Sequence, residues 1–304
     1  MVEDIGKIIR NGFETYTKNL NICVPFILDF FISVLLFLLM AVFGMVFILG
    51  SSLSKLESSR TPEALALVLL PLITQHIMEI TLLIAAILLV IFLIQAYFTS
   101  GAIGMAIQAT VSGKSSLSTM NDAGRKNLLN MFFAQILFGL ISLAGIVFIV
   151  PGAMKIDISQ LMDSKNPEAA GLFMVGLMLW VLYSIVVSIV LVIFRYALVA
   201  ENFGPIESIS AAFNFFKKNK GDVVLLFIFL IVVSIAFFIV DQIMGLLPII
   251  NILWSFISFL ISLIVIAPLT TIWWVRLYMV RTGNKVYFDE LLAHPNDLER
   301  LKMH

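Results

Sequence analysis

Six long apolar runs, separated by short polar stretches, dominate the chain at about residues 22–49, 79–108, 128–150, 171–200, 223–240 and 251–280. At a rise of about 1.5 Å per residue, runs of this length predict helices that cross a bilayer. The first, at about 28 residues, exceeds what a perpendicular crossing needs, which predicts tilt or emergence from the hydrocarbon. Three intervening segments, at about residues 3–18, 115–126 and 205–218, change to a helical apolar/polar alternation. In the first, Ile5, Ile8, Ile9, Phe13 and Tyr16 oppose Lys7, Arg10, Asn11, Glu14 and Lys18. In the third, Ile206, Ile209, Phe213 and Phe216 oppose Glu207, Ser208, Ser210, Asn214 and Lys217. A basic knot of Lys217, Lys218 and Lys220 then precedes the charge-free run Val223–Val240. This pattern predicts a helix lying on the membrane surface that feeds a crossing helix.

Local signals refine the boundaries. Pro25 is expected to bend the first turns of its span. Thr61-Pro62-Glu63 reads as a helix start, and the apolar run Leu65–Leu70 that ends at Pro71 predicts a short outer or half-inserted helix. Asn166-Pro167-Glu168-Ala169 repeats that start before the fourth span. Ser100, Gly101, Ala102, Gly104, Ala106 and Ala109 predict close helix contact in the inner half of the second span. Pro151-Gly152 ends the third span, Gly245 and Pro248 make a tight connection, and Asn296-Asp297 starts a last short helix in the tail.

The pattern recurs. A shift of 200 positions places Ile9 on Ile209, Phe13 on Phe213, Lys18-Asn19 on Lys218-Asn219 and Val24 on Val224. A shift of 108 places Lys18-Asn19-Leu20 on Lys126-Asn127-Leu128, although Asn121 and Gly124 stand where the aromatic anchors would be. Pro-Glu-Ala at 62–64 and 167–169 supports a similar shift. Each unit enters the membrane from the same side, so the repeats are parallel rather than inverted. The expected fold is all-α, a single polytopic six-helix transmembrane bundle over residues 1–304. It is built from three parallel repeats of an amphipathic surface helix plus a transmembrane hairpin, with the surface helices as a collar.

Composition agrees with a bilayer as solvent. The chain of 304 residues is 61% hydrophobic and only 12% charged, half the charge of an ordinary soluble domain. Net charge is zero, so no bulk field recruits nucleic acid. The single cysteine, Cys23, excludes an internal disulfide. The first apolar run begins near Asn21, is too long for a signal-peptide core and is expected to stay in the protein. Fifteen of the Lys and Arg residues fall on the side of the termini and the 112–127 and 195–220 segments, against four on the other. Both termini are therefore expected in the cytoplasm, with the protein in the inner or plasma membrane.

The stretch Phe194-Arg195-Tyr196, Glu201, Gly204, Glu207 and Ala212, followed by an aromatic and basic segment and a new span, resembles a broad prokaryotic group of six-span membrane proteins. That group includes the membrane domain attached to some glycerophosphodiester phosphodiesterases and related families of unknown function. A serine is common in the group about where Ala211-Ala212 stands here. The resemblance implies a fold and a membrane location, and no reaction; these 304 residues contain no soluble phosphodiesterase domain.

Candidate chemistry is sparse. Asp29 lies about 10 Å into the first span, where a carboxylate is costly unless paired, neutralised or wetted. Arg195 and Arg276 sit at comparable depth in the fourth and sixth spans. Two readings stay open: one structural ion pair with the spare arginine reaching for lipid phosphates, or a coupling carboxylate in a central cavity. His76, Glu79, Asp241 and Gln242 form a candidate outer polar cluster; one histidine is thin support for a metal, and none is expected. Gln95, Gln108 and Gln135, with serines at 184, 188, 255, 258 and 262, read as helix–helix hydrogen-bonding groups. Trp273 and Trp274 read as interfacial anchors beside Arg276. The fourteen methionines read as packing residues. No nucleophile elbow, zinc helix, paired-cysteine, phosphate-loop or dinucleotide motif is present, so no enzymatic activity and no cofactor are expected. Two function classes remain: transport or lipid handling with a lipid or small-molecule ligand, and an accessory role organising a protein partner through the cytoplasmic collar.

Overall fold

In the computed structural model, residues 3–50, 71, 73–154, 167–246, 248–284 and 286 are described. The expected helix start at Thr61, the short helix over Leu65–Leu70, the start of the fourth unit at Asn166 and the tail helix at Asn296 lie outside them.

The described residues are helical. α1 covers Ile5–Lys18, and a 3-10 turn, Leu20–Cys23, leads into α2, Val24–Leu49. α3 covers Ile77–Ser112 and α4 Leu117–Leu143, prolonged by a 3-10 turn over Ala144–Phe148. α5 covers Pro167–Leu191 and, after a break, α6 covers Phe194–Glu201. α7 covers Pro205–Lys218, α8 Lys220–Gly245 and α9 Pro248–Ile261. A π-helical turn, Ser262–Ile266, joins α9 to α10, Ala267–Arg281. Among the described residues, six segments are long and apolar enough to cross a membrane: Leu20–Ile48, Ile77–Ser112, Leu117–Phe148, Gly171–Glu201, Lys220–Gly245 and Ile252–Arg281. By the composition of these helices the chain is a multi-pass membrane protein.

Local chemistry explains the boundaries. Asp4 caps α1 by accepting from the Lys7 N–H at 2.8 Å, an interaction of about 1 kcal/mol. Pro25 falls in the first turn of α2, where its missing N–H interrupts no helical hydrogen bond. Gly113 ends α3 in the left-handed region at φ 76°. Asn202 does the same after α6 at φ 57°, a conformation asparagine tolerates better than most. Pro205 then opens α7, and Glu207 accepts from the Gly204 N–H at 3.0 Å. Pro268 explains the π turn. It has no N–H to meet the Ile264 carbonyl four residues earlier, and the Tyr16 hydroxyl of α1 donates to that carbonyl at 2.6 Å.

The buried core lies at the end that carries α1 and α7, here the short-helix end. There α3, α6 and α10 pack together through Ala102, Met105, Ala106, Ala197, Leu198, Ile272 and Leu277. The small residues expected to allow close contact do so. Ser100, Gly101, Ala102, Gly104, Ala106 and Ala109 are all buried, and a Cβ on Gly104 would come within 2.4 Å of the Ala123 Cβ. At the far end, helices touch within hairpins, as where Gly176 meets the Phe148 carbonyl and Gly145 meets Tyr183. Phe43, Phe47, Met78, Met178 and Phe238 there point outward and are exposed.

Several expectations differ from the structure. The middle amphipathic segment is not a separate surface helix, because α4 runs unbroken from Leu117 to Leu143. Ser208, expected on the polar face of α7, is buried together with Ala212 and Phe215, and Ile206 and Phe213 are exposed. Small side chains let the backbone approach its neighbours. Trp273 and Trp274 are core residues rather than interfacial anchors. The Trp273 ring lies over Gly12 and its Nε1 donates to the Ile9 carbonyl at 3.0 Å.

Candidate functional site

The predicted polar residues do not converge. Arg276, 2% exposed, is held by Glu3, also 2% exposed, through Nη2 to Oε1 at 2.6 Å and Nε to Oε2 at 2.9 Å. This is a buried, two-pronged ion pair, the arrangement in which guanidinium and carboxylate geometries match. Asn11 Nδ2 also donates to Glu3 Oε1 at 2.9 Å. Arg281 extends the network, donating from Nη1 to the Glu3 carbonyl at 2.8 Å and from Nε to Asp222 Oδ2 at 2.5 Å. The network ties the start of the chain to α10 and α8.

Asp29 is elsewhere. It is half-buried on α2 and accepts from Ser33 Oγ at 3.4 Å, and among the described residues it forms no ion pair. Arg195 begins α6 beside Phe194, with its guanidinium carbon 5.4 Å from that ring's centroid. The Phe194 ring in turn stacks on Phe138 of α4. The Arg195 Nε is buried with no hydrogen-bond partner, and among the described residues no carboxylate pairs with the guanidinium.

The outer cluster divides in two. His76 Nδ1 and Glu79 Oε1 are 3.9 Å apart within one turn. Asp241 accepts instead from Trp254 Nε1 at 2.7 Å, joining α8 to α9. Gln242 is exposed. Among the described residues no three His, Cys, Asp or Glu side chains gather closely enough to hold a metal.

A second polar junction forms where α1 meets the turn between α3 and α4. Asn19 Nδ2 donates to the Gly113 carbonyl at 3.0 Å, and Asn19 Oδ1 accepts from the Ser115 N–H at 2.7 Å. Asn21 and Ser115 exchange two further hydrogen bonds. Tyr16, beside this junction, has its phenol pushed above the ordinary value, chiefly by burial.

The structure also contains a lateral cavity of about 340 Å³ on the membrane-facing flank. Trp180, Val181, Ser184, Ile185 and Ser188 of α5 form one wall and Phe227 of α8 the other. Its lining is almost wholly apolar. The two serines were legible as polar span residues; Trp180 and Phe227 carried no signal that separates a groove from ordinary lipid contact. Glu3 was likewise missed, because a lone acid near a chain start gives no hint of a partner 273 residues away.

No family model, curated protein or solved structure matches the chain. The resemblance carried by the Phe194–Ala212 stretch therefore rests on those residues and on the six spans alone.

Proposed function

We propose that this protein handles lipid at the flank of its bundle, in a cell membrane with both termini in the cytoplasm. The observation that carries the reading is the apolar cavity between α5 and α8, lined by residues within two spans, at the depth of acyl chains. The core at the short-helix end points the same way. Large and small apolar side chains fill the meeting place of α3, α6 and α10, where a central solute path would run. The proposed function includes no chemical step. A photoactivatable phospholipid with a diazirine in its acyl chain, in nanodiscs, should label Val181, Ile185 and Phe227 above the level of exposed far-end residues such as Phe47 and Met178. Uniform labelling would reject the reading and leave the accessory role, in which the collar organises a partner.

Asp29, half-buried and accepting from Ser33, with no ion pair among the described residues, is the observation favouring a transport path instead. Solute flux in liposomes that Asp29→Asn abolishes without loss of folding would select that alternative.

The reading includes an internal threefold repeat. α1 and α7 each have 14 residues and each end on Lys-Asn. Asn19, Asn127 and Asn219 each donate Nδ2 to the carbonyl four residues earlier, at 2.9, 3.0 and 3.1 Å. The packing order is cyclic. The start of α4 follows and packs on α3, α7 follows and packs on α6, and α1 packs on α10. Superposing the three hairpins by rotation about one axis normal to the membrane tests it.

A further inference from the structure

From the α5/α8 cavity and the Arg195 guanidinium farther along the same span, we infer that the protein binds an anionic phospholipid, with an acyl chain between Trp180 and Phe227 and the phosphodiester on Arg195. The inference rests on the lipid-handling reading and names the ligand class of the same site.

Ser184 and Ser188, one turn apart on α5, line the cavity, and Arg195 follows seven residues later, past the break between α5 and α6. From Trp180 to Arg195 the chain rises about 22 Å, close to the ~20–22 Å depth of one leaflet with its headgroup layer. A lipid seated with its chain at Trp180 therefore brings its phosphate to the depth of Arg195.

Charge selects the headgroup. Arg195 is a permanent cation at the inner end of a span, and its Nε is desolvated and unpartnered. Among the described residues no carboxylate pairs with it. Glu3 holds Arg276, Asp222 holds Arg281, and Glu207 accepts from the Gly204 N–H. An unpaired guanidinium near hydrocarbon is costly unless an anion meets it. A phosphodiester offers two oxygens in the spacing that the guanidinium fork donates to. Phe194, stacked on Phe138, braces the guanidinium from one side and leaves its donors to an incoming anion.

The test is native mass spectrometry of the full chain, supplied in turn with phosphatidylglycerol, phosphatidylcholine and diacylglycerol of matched acyl chains, and with inorganic phosphate. The wild type should retain phosphatidylglycerol at least tenfold better than diacylglycerol. Arg195→Gln should reduce that preference fivefold or more, while acyl-chain photolabelling of Val181 and Phe227 persists. Arg195→Lys, a point charge without the fork, should fall between them. An unchanged preference in Arg195→Gln overturns the headgroup assignment and leaves the cavity reading intact. Loss of acyl labelling in the wild type overturns both. Retention of inorganic phosphate as strongly as phosphatidylglycerol makes the site one for a free anion and overturns the lipid assignment. Should Arg195→Gln fail to fold, Arg195→Lys decides: less than a threefold loss of preference overturns the inference.

Discussion

The two ends of the molecule are held together by different means. At the short-helix end, segments far apart in sequence are locked by buried charge, ring-on-glycine contacts and side-chain bonds to backbone carbonyls. Glu3 with Arg276, Trp273 with Ile9 and Gly12, and Tyr16 with Ile264 all join α1 to the sixth span. At the far end, contacts such as Asp241 with Trp254 and Gly176 with Phe148 join sequence neighbours within one hairpin. Lipid can solvate apolar helices as well as a neighbouring helix can. Hairpins without polar or small-residue contacts between them can therefore separate at little cost, and the lateral cavity lies between two hairpins.

Breaking the buried charge should show the contrast most strongly. Glu3→Ala takes both carboxylate oxygens from the buried Arg276 guanidinium and should lower stability by about 3–5 kcal/mol, read by denaturant titration in detergent micelles. Gly12→Ala comes next. Its new Cβ would lie 2.4 Å from Trp273 Cδ1, which should cost about 1–3 kcal/mol through overpacking. Gly139→Ala, with no other atom within 4 Å of the added methyl, should instead gain up to about 1 kcal/mol in the same titration.

Tyr16→Phe removes the donor that serves the Ile264 carbonyl and should cost about 1 kcal/mol near neutral pH. The buried phenol also sets a pH dependence. Its pKa in the folded protein is raised above the ordinary value of 10.0. The unfolded chain therefore loses its proton first, and stability present below about pH 10 falls as pH rises through the raised value. Tyr16→Phe should flatten that alkaline decline. The smallest effect belongs to the far end: Asp241→Asn keeps an acceptor for Trp254 and should change stability by less than about 1 kcal/mol. A loss there as large as that of Glu3→Ala would erase the distinction between the ends.

The spans were legible because hydrocarbon imposes both length and apolarity on anything that crosses it. The buried stripe of α3 was legible because Gly101, Gly104 and Ala106 have little use except close approach. The burial of Ser208 on α7 was not. Between Glu207 and Ser210 it reads as part of a wet face, whereas a side chain this small also lets one helix approach another closely. Trp273 and Trp274 were misassigned for a related reason: tryptophan near an arginine suits an interface, but here the facing residue is Gly12, which leaves room for a ring. The separation of Asp29 from both arginines was hidden because proximity in depth says nothing about position around the bundle.

The seat of α1 has a consequence for biosynthesis. Its partners Ile264 and Trp273, and the Arg276 that holds Glu3 just before it, are translated some 250 residues later, so α1 must wait for the sixth span before it can dock. Assembly is then a late, long-range closure rather than a stepwise stacking of finished hairpins, and a chain stalled before the sixth span would leave α1 undocked.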